Sequence, residues 1–228
     1  MRRIIAGALC AILLICSGCE TDLAPDTAVT AGLDSTGFEQ LAQYFPHTEK
    51  ATFRYSGTLD FGEILTLKNV ERNNENIILE FEGNWFSGAS DDEIEGLKER
   101  GIYRKYIISN DSVTECYRKT MYFYENSDYD EIDEYRESVV LKMPLEEGNK
   151  WSSKYTINED KYDAETTIVK FDPELNTVQV ETKVYGLDGY IDEVYIENNT
   201  FQIGRGLIRA LYLTRLQEEY YIHIWIED

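Results

Sequence analysis

The segments NIILEFEG (Asn76 to Gly83) and NTVQVETKV (Asn176 to Val184) decide the fold class. In the first, Ile77, Leu79 and Phe81 share one face and Glu80 and Glu82 the other. In the second, Val178, Val180 and Val184 lie opposite Gln179, Glu181 and Lys183. Apolar residues at every second position mark a strand that is buried on one face and wet on the other. Each segment is preceded by a similar run, GEILTLKNVE or ETTIVKF, across the turns RNNEN and DPELN. Asparagine, aspartate and proline favour turns through local hydrogen bonding and a preset φ. Both units therefore read as hairpins.

Working outward, each turn lies just under thirty residues after a proline in a recurring context. YFPHTEKATFRY (Tyr44 to Tyr55) resembles KMPLEEGNKWSS (Lys142 to Ser153), with Pro46 and Pro144 98 residues apart. Seven residues after each proline stands an aromatic, Phe53 or Trp151. IYRKYIIS and SVTECYRK read as further strands, and GLIRALYLTRL with EYYIHIWIE as a terminal hairpin around Gln217 and Glu218. Gly204 and Gly206 permit the turn before it. SDDEIEGLKERG predicts a helix near 90–100, because Ser90 and Glu93 form a capping box and Gly101 can end it. A short helix is also expected from Thr36 or Gly37 to about Tyr44. Seventeen tyrosines and three tryptophans beside only four prolines favour strands over disorder. The expected fold is mainly β: two consecutive antiparallel β-meander repeats forming a curved sheet or packed sheets, with one or two short helices. The repeats are placed at 37–136 and 137–228, joined by the acidic connection ENSDYDEIDEYRE.

The first residues are of another kind. Arg2 and Arg3 precede an almost wholly apolar run from Ile4 to Ile15, followed by Ser17, Gly18, Cys19 and then Glu20 and Asp22. A transmembrane helix needs about 20 apolar residues. This run is shorter and reads as a signal peptide over 1–18. The small pair directly before Cys19 resembles the lipobox of bacterial lipoproteins, although Cys16 stands where that family has an aliphatic residue. The resemblance implies cleavage before Cys19 and a diacylglyceryl group on its sulfur. One acyl chain anchors a protein only marginally, whereas two hold it firmly. The expected partner is thus the lipid bilayer, with the protein on the extracytoplasmic face of the cell membrane. Residues 19–36 are small, polar and aperiodic and read as a flexible tether. The paired proline–aromatic pattern, with its Gly204-Arg205-Gly206-Leu207 turn, resembles extracytoplasmic lipoproteins of Gram-positive bacteria, a group that implies architecture but no activity.

Charge narrows the partners. The chain carries 43 acidic and 22 basic residues, net −21, and loss of the leader removes two arginines and no acid. Nucleic acid is excluded, because its phosphates require lysine and arginine. A broad basic contact with anionic lipid is excluded too. The excess of acid suits cations or, foremost, solubility.

Candidate chemistry is sparse. Once Cys10 and Cys16 leave with the leader and Cys19 is acylated, only Cys116 remains, so no intramolecular disulfide forms. Cys116 has no histidine near it in sequence and reads as a half-buried strand residue. The two histidines, His47 and His223, have no zinc-site spacing and belong to no nucleophile triad. His47 lies in the first proline turn, and each histidine reads foremost as a structural hydrogen-bonder or a surface residue. Tyr221, His223 and Trp225 alternate along the last strand and are the weak ligand-binding candidates. Asp128, Asp130 and Asp133 are hard oxygen donors suited to calcium, yet an EF-hand needs glycine where Asp133 stands. They read foremost as a solvated acidic loop. Tyr103 alternates with Lys105, and Tyr106 with Arg104 and Ile108. Such rings either pack across strands or grip a ligand. No cofactor is expected. The sequence points to a non-enzymatic lipoprotein that binds an extracytoplasmic ligand or an envelope protein. The alternatives are an assembly adaptor of an envelope complex and, last, a hydrolase of cell-wall polymer.

Overall fold

The computed structural model describes residues 35–58, 61–87, 101–125, 128–213 and 221–226. The described residues form one short helix, α1 (Ser35–Ala42), and twelve strands. The first six are β1 (Thr52–Gly57), β2 (Phe61–Arg72), β3 (Ile77–Ser87), β4 (Gly101–Ile108), β5 (Ser112–Glu125) and β6 (Asp128–Lys142). The rest are β7 (Lys150–Ile157), β8 (Asp160–Asp172), β9 (Thr177–Tyr185), β10 (Val194–Gln202), β11 (Gly206–Leu213) and β12 (Tyr221–Ile226). A single 3-10 turn, Ile191–Glu193, precedes β10.

Every strand pairs antiparallel with its neighbours in sequence, and β1 pairs with β12, so the sheet closes into a barrel. The closing seam is short, with Tyr55 opposite Ile226 and Gly57 opposite Ile224. A second short seam joins β6 to β7, where Arg136 meets Ile157 and Glu137 meets Thr156. The expected curved sheet is therefore present in its most curled form. The expected helix near 90–100 lies outside the described residues. The acidic connection does not form a loop between units. Asp128, Asp130 and Asp133 stand on β6, opposite Glu125, Phe123 and Thr120. The strand β6 also runs unbroken through the expected boundary at 136/137, and residues 143–149 connect it to β7. Alternation carried by acids and tyrosines instead of aliphatics hid this strand from a hydrophobicity reading.

The two proline turns are built alike. After Pro46, Lys50 N–H donates to Leu67 O at 2.8 Å and Leu67 N–H to Ala51 O at 2.9 Å. After Pro144, Gly148 N–H donates to Ile168 O at 2.8 Å and Ile168 N–H to Asn149 O at 2.9 Å. Lys50 and Gly148 both have positive φ. One residue beyond each aliphatic acceptor, the register shifts through a β-bulge, between Leu67 and Asn69 and between Ile168 and Lys170. A bulge bends its strand and increases the local twist, which helps a long meander to curl.

Helix α1 lies across one mouth of the barrel. Near its start, Gly37 sits against Asn110 O in the β4–β5 turn. Beyond its end, Gln43 O and Tyr44 O accept from Gly204 N–H and Gly206 N–H in the β10–β11 turn, both at 2.7 Å. Those two glycines have φ of 75° and 77°, a region that costs other residues strain. Phe38, Leu41, Ala42 and Phe45 point into the barrel and are buried. The Phe45 ring lies 4.7 Å from Tyr106 on β4 and 5.9 Å from Phe201 on β10. In a ring of twelve strands these two stand on opposite walls, so one side chain braces the diameter. Phe81 and Phe53 extend the same aromatic cluster toward β1.

His47 follows the lid and shares a hydrogen bond of 3.0 Å between its Nε2 and Ala42 O. Burial lowers its pKa, and the Arg72 charge acts in the same direction.

Two outcomes test the lid. Phe45→Ala should lower the unfolding free energy by about 3–5 kcal/mol in urea titration, the range for a buried aromatic. Folded His47 binds its proton more weakly than the unfolded residue, so unfolding takes up a proton as pH falls through about 6.5. The urea midpoint should therefore drop between neutral and mildly acid pH, and His47→Gln should shrink that drop.

Candidate functional site

Below the aromatic cluster, the barrel interior is charged. Arg104, from β4, is 3% exposed and reaches Glu63 of β2 at 3.4 Å and Glu115 of β5 at 3.2 Å. Arg136, from β6, pairs with Glu134 at 3.0 Å on its own strand and with Glu197 of β10, also at 3.0 Å. The Tyr117 ring lies between the two guanidinium groups, 5.0 Å from the Arg104 carbon and 4.6 Å from that of Arg136. Its hydroxyl donates to Glu63 at 3.0 Å. Aromatic faces carry negative charge density and attract cations, so the ring stabilises two like charges held in a confined space. The Arg104 and Arg136 carbons also lie 5.9 Å from Tyr55 and 5.2 Å from Tyr212.

Glu197 gathers three donors at one oxygen. Its Oε1 accepts from Tyr155 at 2.7 Å, Tyr195 at 2.8 Å and Arg136 at 3.0 Å. Burial nevertheless raises its pKa, against the opposing pull of Arg136 and the two hydroxyls. Burial keeps the phenols protonated as well, pushing Tyr55 up to about 12 and Tyr117, Tyr155 and Tyr195 well above their usual range. Each phenol thus acts as a donor. Tyr55 donates to Leu207 O at 2.9 Å, which ties β1 to β11.

Alternation alone builds this layer. Arg104 belongs to the same face as Ile102, Tyr106 and Ile108, all buried. Glu197 shares its face with Tyr195, Asn199 and Phe201, also buried. A charged residue on the apolar face of a strand was the signal in the sequence. Composition-based reading assigns charge to the solvent and passes over it.

The layer has little access. A cavity lined by Phe45, Tyr55, Arg104, Tyr106 and Arg205 has room for about one water molecule. Glu63 is 1% exposed and Glu197 4%. Among the described residues, no group of three or more metal-ligating side chains converges.

The outer wall is water-facing. Lys105 pairs with Glu80, Lys150 with Glu165, Lys154 with Asp163 and Lys183 with Glu181. No helix among the described residues is long and apolar enough to cross a membrane. Cys116 is half-buried on β5, and burial raises its thiol pKa. Tyr103 is on the outer wall, donating to Glu80 at 2.8 Å.

Tyr221, His223 and Trp225 take register positions on β12 opposite Leu213, Leu211 and Arg209. Their side chains lie outside the described part of the structure, as do those of Asp128, Asp130 and Asp133. Cys19 also lies outside the described residues.

No family model matches the chain. No curated protein matches it either. Among solved structures it is similar to a crystal structure of a "putative lipoprotein" from Parabacteroides distasonis, at 10% identity and a TM-score of 0.44, covering 81% of this chain and 97% of that one.

The energetic role of the layer is open to a mutant cycle. Arg104→Met leaves Glu63 buried without its cation and should lower the unfolding free energy by about 3–5 kcal/mol. Adding Glu63→Gln should recover part of that loss, so the double variant unfolds at higher urea than Arg104→Met alone.

Proposed function

We propose that this chain is a lipid-anchored extracytoplasmic protein whose barrel serves as a non-enzymatic binding body, engaging its partner from the outer surface. One observation carries the reading: a short apolar leader ends at Ser17-Gly18-Cys19, and the chain then reaches α1, which is hydrogen-bonded into the barrel mouth. Acylation at Cys19 would tether the barrel through residues 20–34.

The interior supports the choice of surface over cavity. A carrier needs an enclosed volume of a few hundred Å³ for a drug-sized ligand. Here the described interior is occupied by the lid, the aromatic cluster and the Arg–Tyr–Glu layer. Strand addition at an open edge, one route for an adaptor, needs unpaired backbone groups; the β1–β12 seam uses its own, while β6 and β7 pair at Arg136–Ile157 and Glu137–Thr156. The buried carboxylates weigh against a hydrolase. We also read β1–β6 and β7–β12 as copies of one six-stranded unit, from the matched hydrogen bonds at the two proline turns.

The anchor is tested by expressing the full chain in a bacterium fed radiolabelled fatty acid. Label should appear on the wild type and be lost from Cys19→Ser, which should leave the membrane fraction. Label retained by the variant, or an unlabelled wild type released to the medium, would remove the proposal.

A further inference from the structure

We infer that the barrel wall opens sideways between β6 and β7, along residues 138–142 and 150–155, with the Trp151 side chain as its latch. The inference stands apart from the anchor and adds a route from solvent to the interior.

Strand β7 is paired along its whole length with β8, from Lys150 opposite Thr167 to Ile157 opposite Asp160. Toward β6 its ladder holds two pairs, Arg136 with Ile157 and Glu137 with Thr156. Beyond them, residues 138–142 stay on the β5 ladder and residues 150–155 on the β8 ladder, with no register partners in each other. The parted stretch is fastened at both ends. Below it, Asn158 N–H donates to Tyr135 O at 2.7 Å, and Asn158 Oδ1 accepts from Tyr135 N–H at 2.9 Å. Glu197 holds Arg136 at the same end. Above it, Asn149 Nδ2 donates to Lys142 O at 3.1 Å and to Pro144 O at 2.8 Å. Between the two ends a side chain stands in for a ladder bond. Trp151 Nε1 donates to Val139 O at 3.2 Å, and its ring is buried in the main core.

Local opening occurs where the fewest backbone hydrogen bonds must break. Parting residues 138–142 from 150–155 breaks no ladder pair, and each strand keeps its other neighbour. The β1–β12 seam is also short, but there the Tyr55 hydroxyl reaches past β12 to Leu207 O on β11 at 2.9 Å. The route behind β6 and β7 is polar. Ser138 and Tyr155 are buried beside it. Ser153 shares the inward face of β7 with Trp151 and Tyr155, and its Oγ is buried and makes no hydrogen bond among the described residues. The Tyr155 hydroxyl leads on to Glu197 at 2.7 Å. Buried hydroxyls of this kind are ordinarily met by water, and water and small polar solutes are what such a lining would admit.

The test alkylates full-length protein carrying Ser153→Cys or Val180→Cys with iodoacetamide under native conditions. Mass spectrometry of the peptides reads the label at each position separately from the other cysteines. Ser153→Cys forfeits no hydrogen bond to the described residues. Val180 is buried on β9, which is laddered to both β8 and β10. The thiol at 153 should be labelled at least about 100-fold faster than the one at 180. Low urea should hardly change the rate at 153, whereas the rate at 180 climbs with urea as global unfolding does. Val140→Cys, on the facing strand, is a second reporter with the same expectation as 153. Adding Trp151→Phe, which removes the indole N–H, should raise the rate at 153 several-fold relative to 180. Equal rates with one urea dependence would mean that the wall opens only by global unfolding and would overturn the inference. Labelling at 153 as fast as in a denatured control would mark a standing gap and overturn it too. An unchanged ratio in the Trp151→Phe background would overturn the latch.

Discussion

Twelve strands closed in a ring enclose more space than their own aliphatic side chains can fill. An eight-stranded barrel is just wide enough for side chains to fill it, and much larger ones leave a channel. This chain must fill the excess or collapse. It does so with the lid, which brings Phe38, Leu41 and Phe45 into one mouth, and with long polar side chains that span the middle. Phe45 reaches both β4 and β10, and Arg136 reaches from β6 to β10. Most features of the fold follow from this need for width.

The charged layer is best understood as a filler with rules. Arginine and tyrosine are long enough to cross the gap, but each brings polar groups that must be satisfied once buried. Tyr117 answers this by stacking between two guanidiniums while donating to Glu63. Glu197 answers it by accepting three donors at one oxygen. Replacing such a network with apolar groups of the same shape is often neutral in stability. Its contribution lies in selecting one arrangement, because only one register brings β2, β4, β5, β6 and β10 into these pairings.

Much of this was legible in the sequence, and the remainder was hidden for definable reasons. Ile77, Leu79 and Phe81, and Val178, Val180 and Val184, announced their strands by period two, and all are buried. RNNEN and DPELN sit at the hairpin turns that their residues favour. The helix before Pro46 and the half-buried Cys116 were also readable. Closure was not, because the β1–β12 pairing joins the two ends of the body and neither TFRYSG nor YIHIWI carries a mark of its partner. The interior site was missed because Arg104 and Glu197 break the hydrophobicity pattern at the positions where they matter. Beta6 was missed because Asp128, Asp130 and Glu134 resemble a solvated loop in composition, although their spacing is that of a strand.

The claim on which the rest stands is that the chain closes on itself, and amide hydrogen exchange of the full-length protein tests it directly. If β1 and β12 pair as Tyr55 with Ile226 and Gly57 with Ile224, the amides of β1 exchange slowly, with protection comparable to that of β9. If the sheet is open, alternate β1 amides face water without a partner and exchange at the rate of an unstructured peptide, which would contradict the barrel and the need for width that organises it.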